Sequence, residues 1–354
     1  MTLSWSGKGA LPPKPGGAAP SARWTAGDGS ALLEGDNLAI LQALRATHAG
    51  RVTLAYLDPP FLTNRVHEAR DRKTGKERVA FDDRWTDRAA YLEALGARLE
   101  AISPLLSPHG SVVIHVDPKT SHYVKVLADE LFGDEAFASE IVWRYRRWPS
   151  RTQNFQRVHD VLLRYRKDPT APARWNPLYE PLAASTLATW GTMKQRAVFS
   201  RSGKRARSSR TAVPTEGVPM GDVWEIGVLA PVSRERTGYP SQKPEALLER
   251  LVAALSHAGD LVLDPYAGSG TTLAVAAKAG RRFLGIDQSP VAIETIVSRL
   301  AGAGVRLTAG PAACVDPPEK LTVPSSVTQR PARTARRGAT RTQPGIALPR
   351  ARAR

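Results

Sequence analysis

Cysteine is almost absent: Cys314 is the only one in 354 residues. That excludes an intramolecular disulfide framework and a cysteine-rich zinc site. It suits a reducing, cytoplasmic compartment. No run of about 18 apolar residues occurs, so no membrane span is expected. Residues 1–20 are rich in Gly and Pro and lack an apolar core, so they do not read as a signal peptide. The 7 histidines are scattered and show no His-Glu-x-x-His pattern, so no metal site is expected. Acid is missing from two stretches. Residues 182–215 carry Lys194, Arg196, Arg201, Lys204, Arg205, Arg207 and Arg210 with no Asp or Glu. Residues 320–354 carry Lys320 and eight arginines, again with no acid. These two stretches hold nearly all of the formal charge of +17. A polyanion partner fits this distribution, with nucleic acid first.

The apolar fraction, 42%, is ordinary for a folded chain. Apolar runs predict buried strands at residues 52–57, 111–116, 158–165, 261–263 and 283–286, with a less apolar strand at 140–146. Helical spacing appears at 38–44, 91–106, 123–131, 271–279 and 291–300, and another helix opens at Pro244. Residues 65–79 read as a mobile loop, and Pro108-His109-Gly110 reads as a turn. Residues 168–223 hold six prolines and the first basic cluster, and read as an irregular inserted lobe.

Between a predicted strand and a predicted helix lies Asp264-Pro265-Tyr266-Ala267-Gly268-Ser269-Gly270-Thr271-Thr272. Nucleotide-like ligands bind in this setting, outside strand ends. A P-loop needs a lysine after its last glycine, and Thr271 stands there instead. A dinucleotide fingerprint needs a third glycine, and Leu273 stands there. A two-glycine turn fronted by the Asp264 carboxylate suits a cationic ligand without phosphate, such as S-adenosylmethionine. Asp287, at the end of the next strand, can accept from a ribose diol.

Asp58-Pro59-Pro60-Phe61 closes the strand at 52–57. Asp316-Pro317-Pro318-Glu319 repeats the tripeptide without a preceding strand or a following aromatic. Position therefore makes the first copy informative. Its chemistry fits methylation of an exocyclic base amine, whose lone pair is delocalised into the ring. Asp58 and the Pro59 carbonyl can accept from the amine and stabilise the charge that develops there. Proline has no N–H to compete. Phe61 offers a stacking face for a flipped base. Methylation at cytosine C5 would need a cysteine nucleophile, and Cys314 lies in no such setting.

With both motifs present, the chain resembles the amino-group DNA methyltransferases, the N6-adenine and N4-cytosine family. Asp58 precedes Asp264 by 206 residues. That circularly permuted order resembles the β class, which includes modification subunits of type III restriction systems. Further matches are Leu33-Glu34-Gly35-Asp36-Asn37-Leu38, Phe81-Asp82-Asp83-Arg84-Trp85, the stretch 103–110, His122-Tyr123-Val124-Lys125 and His159-Asp160-Val161-Leu162-Leu163. Tyr239-Pro240-Ser241-Gln242-Lys243-Pro244 matches the segment that helps close the cofactor pocket. Phe61 departs from the commoner Tyr, and Tyr266 from a common Phe.

The resemblance implies an α/β fold: a Rossmann-like mixed, mostly parallel sheet with helices on both faces and an inserted target-recognition lobe. It implies S-adenosylmethionine as cofactor, held by Asp36, Asp264, Pro265, Tyr266, Gly268, Gly270, Thr271, Asp287, Gln242 and Lys243. It implies catalysis by Asp58, Pro59, Pro60 and Phe61, on adenine N6 before cytosine N4 because Asp at the first position is more typical of adenine enzymes. RNA amino groups, or a non-catalytic DNA-binding subunit, are the other readings. The partner is double-stranded DNA; a restriction subunit and a homodimer stay open. Expected DNA contacts are the seven basic residues of 182–215 together with Arg146 and Arg147. The expected organisation is a flexible leader (1–30), a catalytic half (31–167), a recognition insertion (168–238), a cofactor half (239–310) and a disordered basic tail (311–354).

Overall fold

Val52–Leu57 is buried along its whole length, and Leu261–Asp264 likewise. Strands of this kind need cover on both faces, which helical crossovers provide. The computed structural model describes residues 4, 20–70, 74–148, 151, 153–192, 197–199, 202–207 and 214–310. Residues Met1–Pro317 form one compact unit. The second, Pro318–Arg354, lies outside the described residues, as do the rest of the expected tail and Cys314.

The chain opens with β1 (Ala22–Thr25), β2 (Ala31–Glu34), α1 (Asn37–His48) and β3 (Val52–Leu57). A hairpin of β4 (Val66–Arg70) and β5 (Glu77–Asp82) leads to α2 (Arg88–Ile102), β6 (Leu106–Val116) and α3 (Ser121–Phe132). Next come β7 (Phe137–Arg144) and β8 (His159–Arg166). Short elements follow: β9 (Tyr179–Glu180), α4 (Ala184–Trp190), β10 (Ala197–Phe199), β11 (Arg205–Arg207), β12 (Val218–Pro219) and β13 (Val223–Glu225). The chain closes with α5 (Glu245–Leu255), β14 (Leu261–Asp264), α6 (Thr271–Lys278), β15 (Arg282–Asp287), α7 (Pro290–Gly302) and β16 (Thr308–Gly310).

Ten strands form one mixed sheet in the order β13-β7-β8-β6-β3-β14-β15-β2-β1-β16. Its centre, β6-β3-β14-β15-β2, is parallel throughout. Side-chain alternation sorts β3 between two cores. Ala55 and Leu57 face α1, α2 and α3 with Leu41, Leu95 and Val124. Leu54 and Tyr56 face α5, α6 and α7 with Leu248, Leu273 and Ile296. Helices therefore lie on both faces of the sheet, as the fold class requires. Among the described residues no helix is long and apolar enough to cross a membrane.

Four expectations need correction. Residues 22–25 of the expected leader are a sheet strand, paired antiparallel with both β2 and β16. Residues 65–79 are largely the β4–β5 hairpin, because Ala69 and Ala80 pack into a small cluster with Tyr239 and Ala292. Pro108-His109-Gly110 is extended within β6, and the register against β3 shifts there to absorb it. The expected insertion is not wholly separate: β13 returns to the main sheet beside β7, seating Trp224 in the core. Its remaining strands form local pairs, β10–β11 and β12–β9.

Candidate active site

The five central strands point the same way, so their carboxyl ends share one edge. Along it lie Asp117 after β6, Asp58 after β3, Asp264 ending β14, Asp287 ending β15 and Asp36 shortly after β2. Motifs 206 residues apart in sequence are thus neighbours, because β3 pairs directly with β14. One cleft of about 290 Å³ is lined by Asp58, Pro59, Pro60 and Phe61 and also by Asp36, Asp264, Pro265, Tyr266, Gly268, Thr271, Asp287, Gln242 and Lys243.

Each of these residues is held differently. The Lys243 ammonium donates to both Asp58 oxygens, at 2.6 and 2.5 Å, and lies 4.9 Å from the centre of the Phe61 ring. Lys243 thus holds the carboxylate expected to be catalytic, besides lining the cleft. The loop after Asp58 carries positive φ at Leu62 (56°) and Asn64 (57°), a costly backbone state. The buried Asp83 carboxylate secures it, accepting from the Phe61, Leu62 and Thr63 amides, the Thr63 hydroxyl and the Trp85 indole.

On the cofactor side, Asp287 accepts from the Gly268 amide at 2.8 Å and the Ser289 amide at 2.9 Å, which shapes the glycine turn. Burial raises its carboxyl above the ordinary value. Asp264 is buried more completely, and burial pushes it up to about 7 against hydrogen bonds from Thr272 and the Tyr266 amide. Asp36 caps α1 through the Ala39 amide and meets Arg98 at 3.3 Å. Gly268 (φ 49°) runs under Tyr239, where an added Cβ would sit 3.3 Å from the ring.

Gly270 does not line the cleft. At φ 72°, an added Cβ would meet Ile296 at 2.9 Å, so this glycine serves the packing of α6 on α7. Gln242 reaches the cleft wall, but its amide group bonds Thr237 and the Glu235 carbonyl and braces its own loop. The Thr271 hydroxyl is used by the Lys243 carbonyl and Arg299.

Sequence reasoning gave several residues here no role, though Asn37, Phe81 and Asp160 lie in segments that match the family. Asn37 bonds the Pro265 carbonyl and Arg98, tying the loop after β2 to the glycine loop. The β4–β5 hairpin supplies His67 and Phe81, stacked at 4.5 Å, as a cleft wall. His115 and Asp160 form a buried pair behind Asp58. Apolar strand patterning hides such residues, since a polar side chain inside a strand carries no spacing signal.

Of the expected DNA contacts, Lys194, Arg196, Arg201 and Arg210 lie outside the described residues. Lys204 is exposed, and Arg205 and Arg207 sit on β11. Arg146 and Arg147 are exposed just past β7, whose carboxyl end reaches the same sheet edge as β6. Trp143 and Tyr145 are buried, whereas Trp148 is exposed.

The profile of the N6_N4_Mtase family, DNA methylase, matches residues 52–298. This chain belongs to that family. It is 29% identical to the type II methyltransferase M.EcaI of Enterobacter cloacae, over 71% of this chain and 65% of that one. It is 28% identical to the DNA adenine methyltransferase YhdJ of Escherichia coli, over 76% of this chain and 82% of that one. The solved PvuII DNA methyltransferase (cytosine-N4-specific) superposes with a TM-score of 0.50 at 15% identity, over 76% of this chain and 85% of that one. That likeness concerns the fold.

S-adenosylmethionine is the cofactor of this family of DNA methylases, and the residues present fit it. Three carboxylates, Asp36, Asp264 and Asp287, border its side of the cleft, and no lysine follows the glycine turn to receive a phosphate.

Proposed function

We propose that this chain transfers a methyl group from S-adenosylmethionine to an exocyclic amine of a DNA base, adenine N6 in the first place. The observation that carries this reading is the single cleft joining Asp58 through Phe61 to Asp264, Gly268 and Asp287. When bound, S-adenosylmethionine supplies an electrophilic methyl on a sulfonium. Asp264 offers charge to the cationic part of the cofactor, Asp287 and Asp36 accept from its hydroxyls and ring, and Tyr239 closes over Gly268. Asp58 accepts from the target amine while Lys243 fixes its orientation, leaving lone pairs for the substrate. The Pro59 carbonyl is the second acceptor, and Phe61 stacks the flipped base.

The adenine preference rests on Asp58 and on the sequence likeness to YhdJ, a DNA adenine methyltransferase by name. Cytosine N4 is the second reading. Duplex DNA is proposed to run across the carboxyl edge, with Arg146, Arg147 and the β10–β11 hairpin meeting phosphates. The test is nucleoside mass spectrometry on DNA from a methylation-deficient host expressing the chain, with Asp58→Ala as control. N6-methyladenine only with the intact chain is the expected result. N4-methylcytosine would overturn the base and keep the chemistry. The absence of both products, from folded protein that binds the cofactor, would overturn the proposal.

A further inference from the structure

His115 has no part in holding the cofactor or the base, yet it is built into the site. It is fully buried in β6, and both ring nitrogens are engaged. Nδ1 lies 2.8 Å from the Tyr56 hydroxyl, and Nε2 lies 3.3 Å from an Asp160 oxygen. The other Asp160 oxygen accepts from the Tyr145 hydroxyl at 3.0 Å. Nδ1 is also 3.9 Å from Asp58 Oδ1. Phe61 and Trp143 wall the ring, at 5.5 and 5.6 Å between centres. An imidazole between two carboxylates can carry a proton from one to the other, because it presents one ring nitrogen to each. The groups that face it are Tyr56 and Asp58 from β3 and its loop, Asp160 from β8 and, across Asp160, Tyr145 just past β7. Lys243 is the opposing cation, held on Asp58.

Methylation of the amine releases a proton. The nitrogen forms the new N–C bond, the C–S bond breaks with its electron pair going to sulfur, and the nitrogen then sheds one proton. We infer that His115 receives that proton from Asp58, so that Asp58, His115 and Asp160 form the exit path for the proton of each transfer. This rests on the assignment of Asp58 to the target amine. The proton passes to Asp58 and then to Nδ1, as the Tyr56 hydroxyl rotates from donor to acceptor. Closing the 3.9 Å gap to hydrogen-bond length takes a shift of about 1 Å. Nε2 gives its own proton to the Asp160 oxygen it faces, and that carboxylate, 12% exposed, hands it to solvent, so the ring ends neutral. His115 acts through Asp58, and is a positioning residue that also carries charge.

The test is single-turnover methyl transfer from labelled S-adenosylmethionine to unmethylated chromosomal DNA of a methylation-free host. Enzyme is in excess, S-adenosylmethionine is saturating at every pH so that binding at Asp264 does not enter the rate, and pH runs from about 5.5 to 9. In the unaltered chain the rate rises with pH through one inflection, since only neutral His115 accepts. His115→Gln keeps a donor and an acceptor but cannot take the proton. It slows transfer by about 100-fold and removes the inflection, with cofactor affinity by calorimetry kept within about threefold. A rate within threefold of the unaltered chain, or a slowed rate with the inflection intact, overturns the inference. Should His115→Gln not fold, Asp160→Asn carries the test: the inflection moves to lower pH as the stabilising anion is lost. An inflection that stays in place overturns the inference. Asp58→Ala separates the two levels. Transfer that survives in Asp58→Ala refutes the role of Asp58 itself, whereas an inactive Asp58→Ala beside an unaffected His115→Gln refutes the exit path alone.

Discussion

The carboxyl edge of the parallel strands and the stretch between β8 and β13 are built on opposite terms. At the edge, Asp83 takes five hydrogen bonds, Asp287 takes two amides and Asp58 is gripped by a buried lysine. Between β8 and β13, the strands β9 to β12 have two or three residues each and pair only with one another. Tyr179, Phe199 and Val218 stay exposed there. A two-stranded pair of that size has little stability of its own in water. The difference fits the tasks proposed for the two regions. Transfer chemistry needs groups held to within about 0.5 Å, and charge worked on in a dry site. Reading a duplex needs a basic surface that adapts to its partner.

Four variants test this contrast, the largest effect first. Asp58→Ala should lower methyl transfer by about 1,000-fold or more, with cofactor affinity nearly unchanged in calorimetry. Substantial turnover would show that the edge does not work through this carboxylate. Asp83→Asn removes the anion under Phe61 and Leu62. It should lower kcat by about 100-fold with little effect on cofactor affinity, because the loop it holds carries the residues proposed to be catalytic. An unchanged kcat would mean that the strained loop holds itself.

Asp264→Asn bears on the cofactor side. Burial puts the Asp264 carboxyl at about 7. A cationic ligand favours its ionised form, so below that pH binding must expel a proton. Affinity for S-adenosylmethionine should therefore rise by up to about tenfold per pH unit between about 5 and 7, then level off. In Asp264→Asn the slope should vanish. A slope that persists would assign the titration elsewhere. The smallest effect belongs to the insertion. Lys204→Ala with Arg205→Ala and Arg207→Ala should leave kcat at saturating DNA unchanged while flattening the dependence of log affinity on log salt by about 2 to 3. An unchanged salt slope would remove this hairpin from the DNA interface.

Much of the edge was legible from sequence. Strands buried on both faces read as unbroken apolar runs, and an acid follows each, so Asp58, Asp264 and Asp287 could be placed at strand ends. Other residues were not legible. The β4–β5 hairpin is polar along most of its length, and only contact with Tyr239 and Ala292 gives it a buried side. β1 is four residues long and only half-buried, and its partners lie near both ends of the described chain. Gly270 belongs to a ligand-like pattern but answers to Ile296, a packing constraint that composition does not show.

Taken alone, the amino-acid sequence determined the chemistry on offer: a carboxylate and two prolines after one strand, and a two-glycine turn after another. These are properties of local residue order, and local backbone preference reads them. Tertiary structure decided which groups meet. It set β3 beside β14, turned Lys243 onto Asp58, brought Asp83 under the catalytic loop and enclosed His115 between Asp58 and Asp160. Each of those pairings joins residues distant in sequence. Sheet order and burial determine them, because a charged or polar group taken out of water must find its partner wherever the fold has put one.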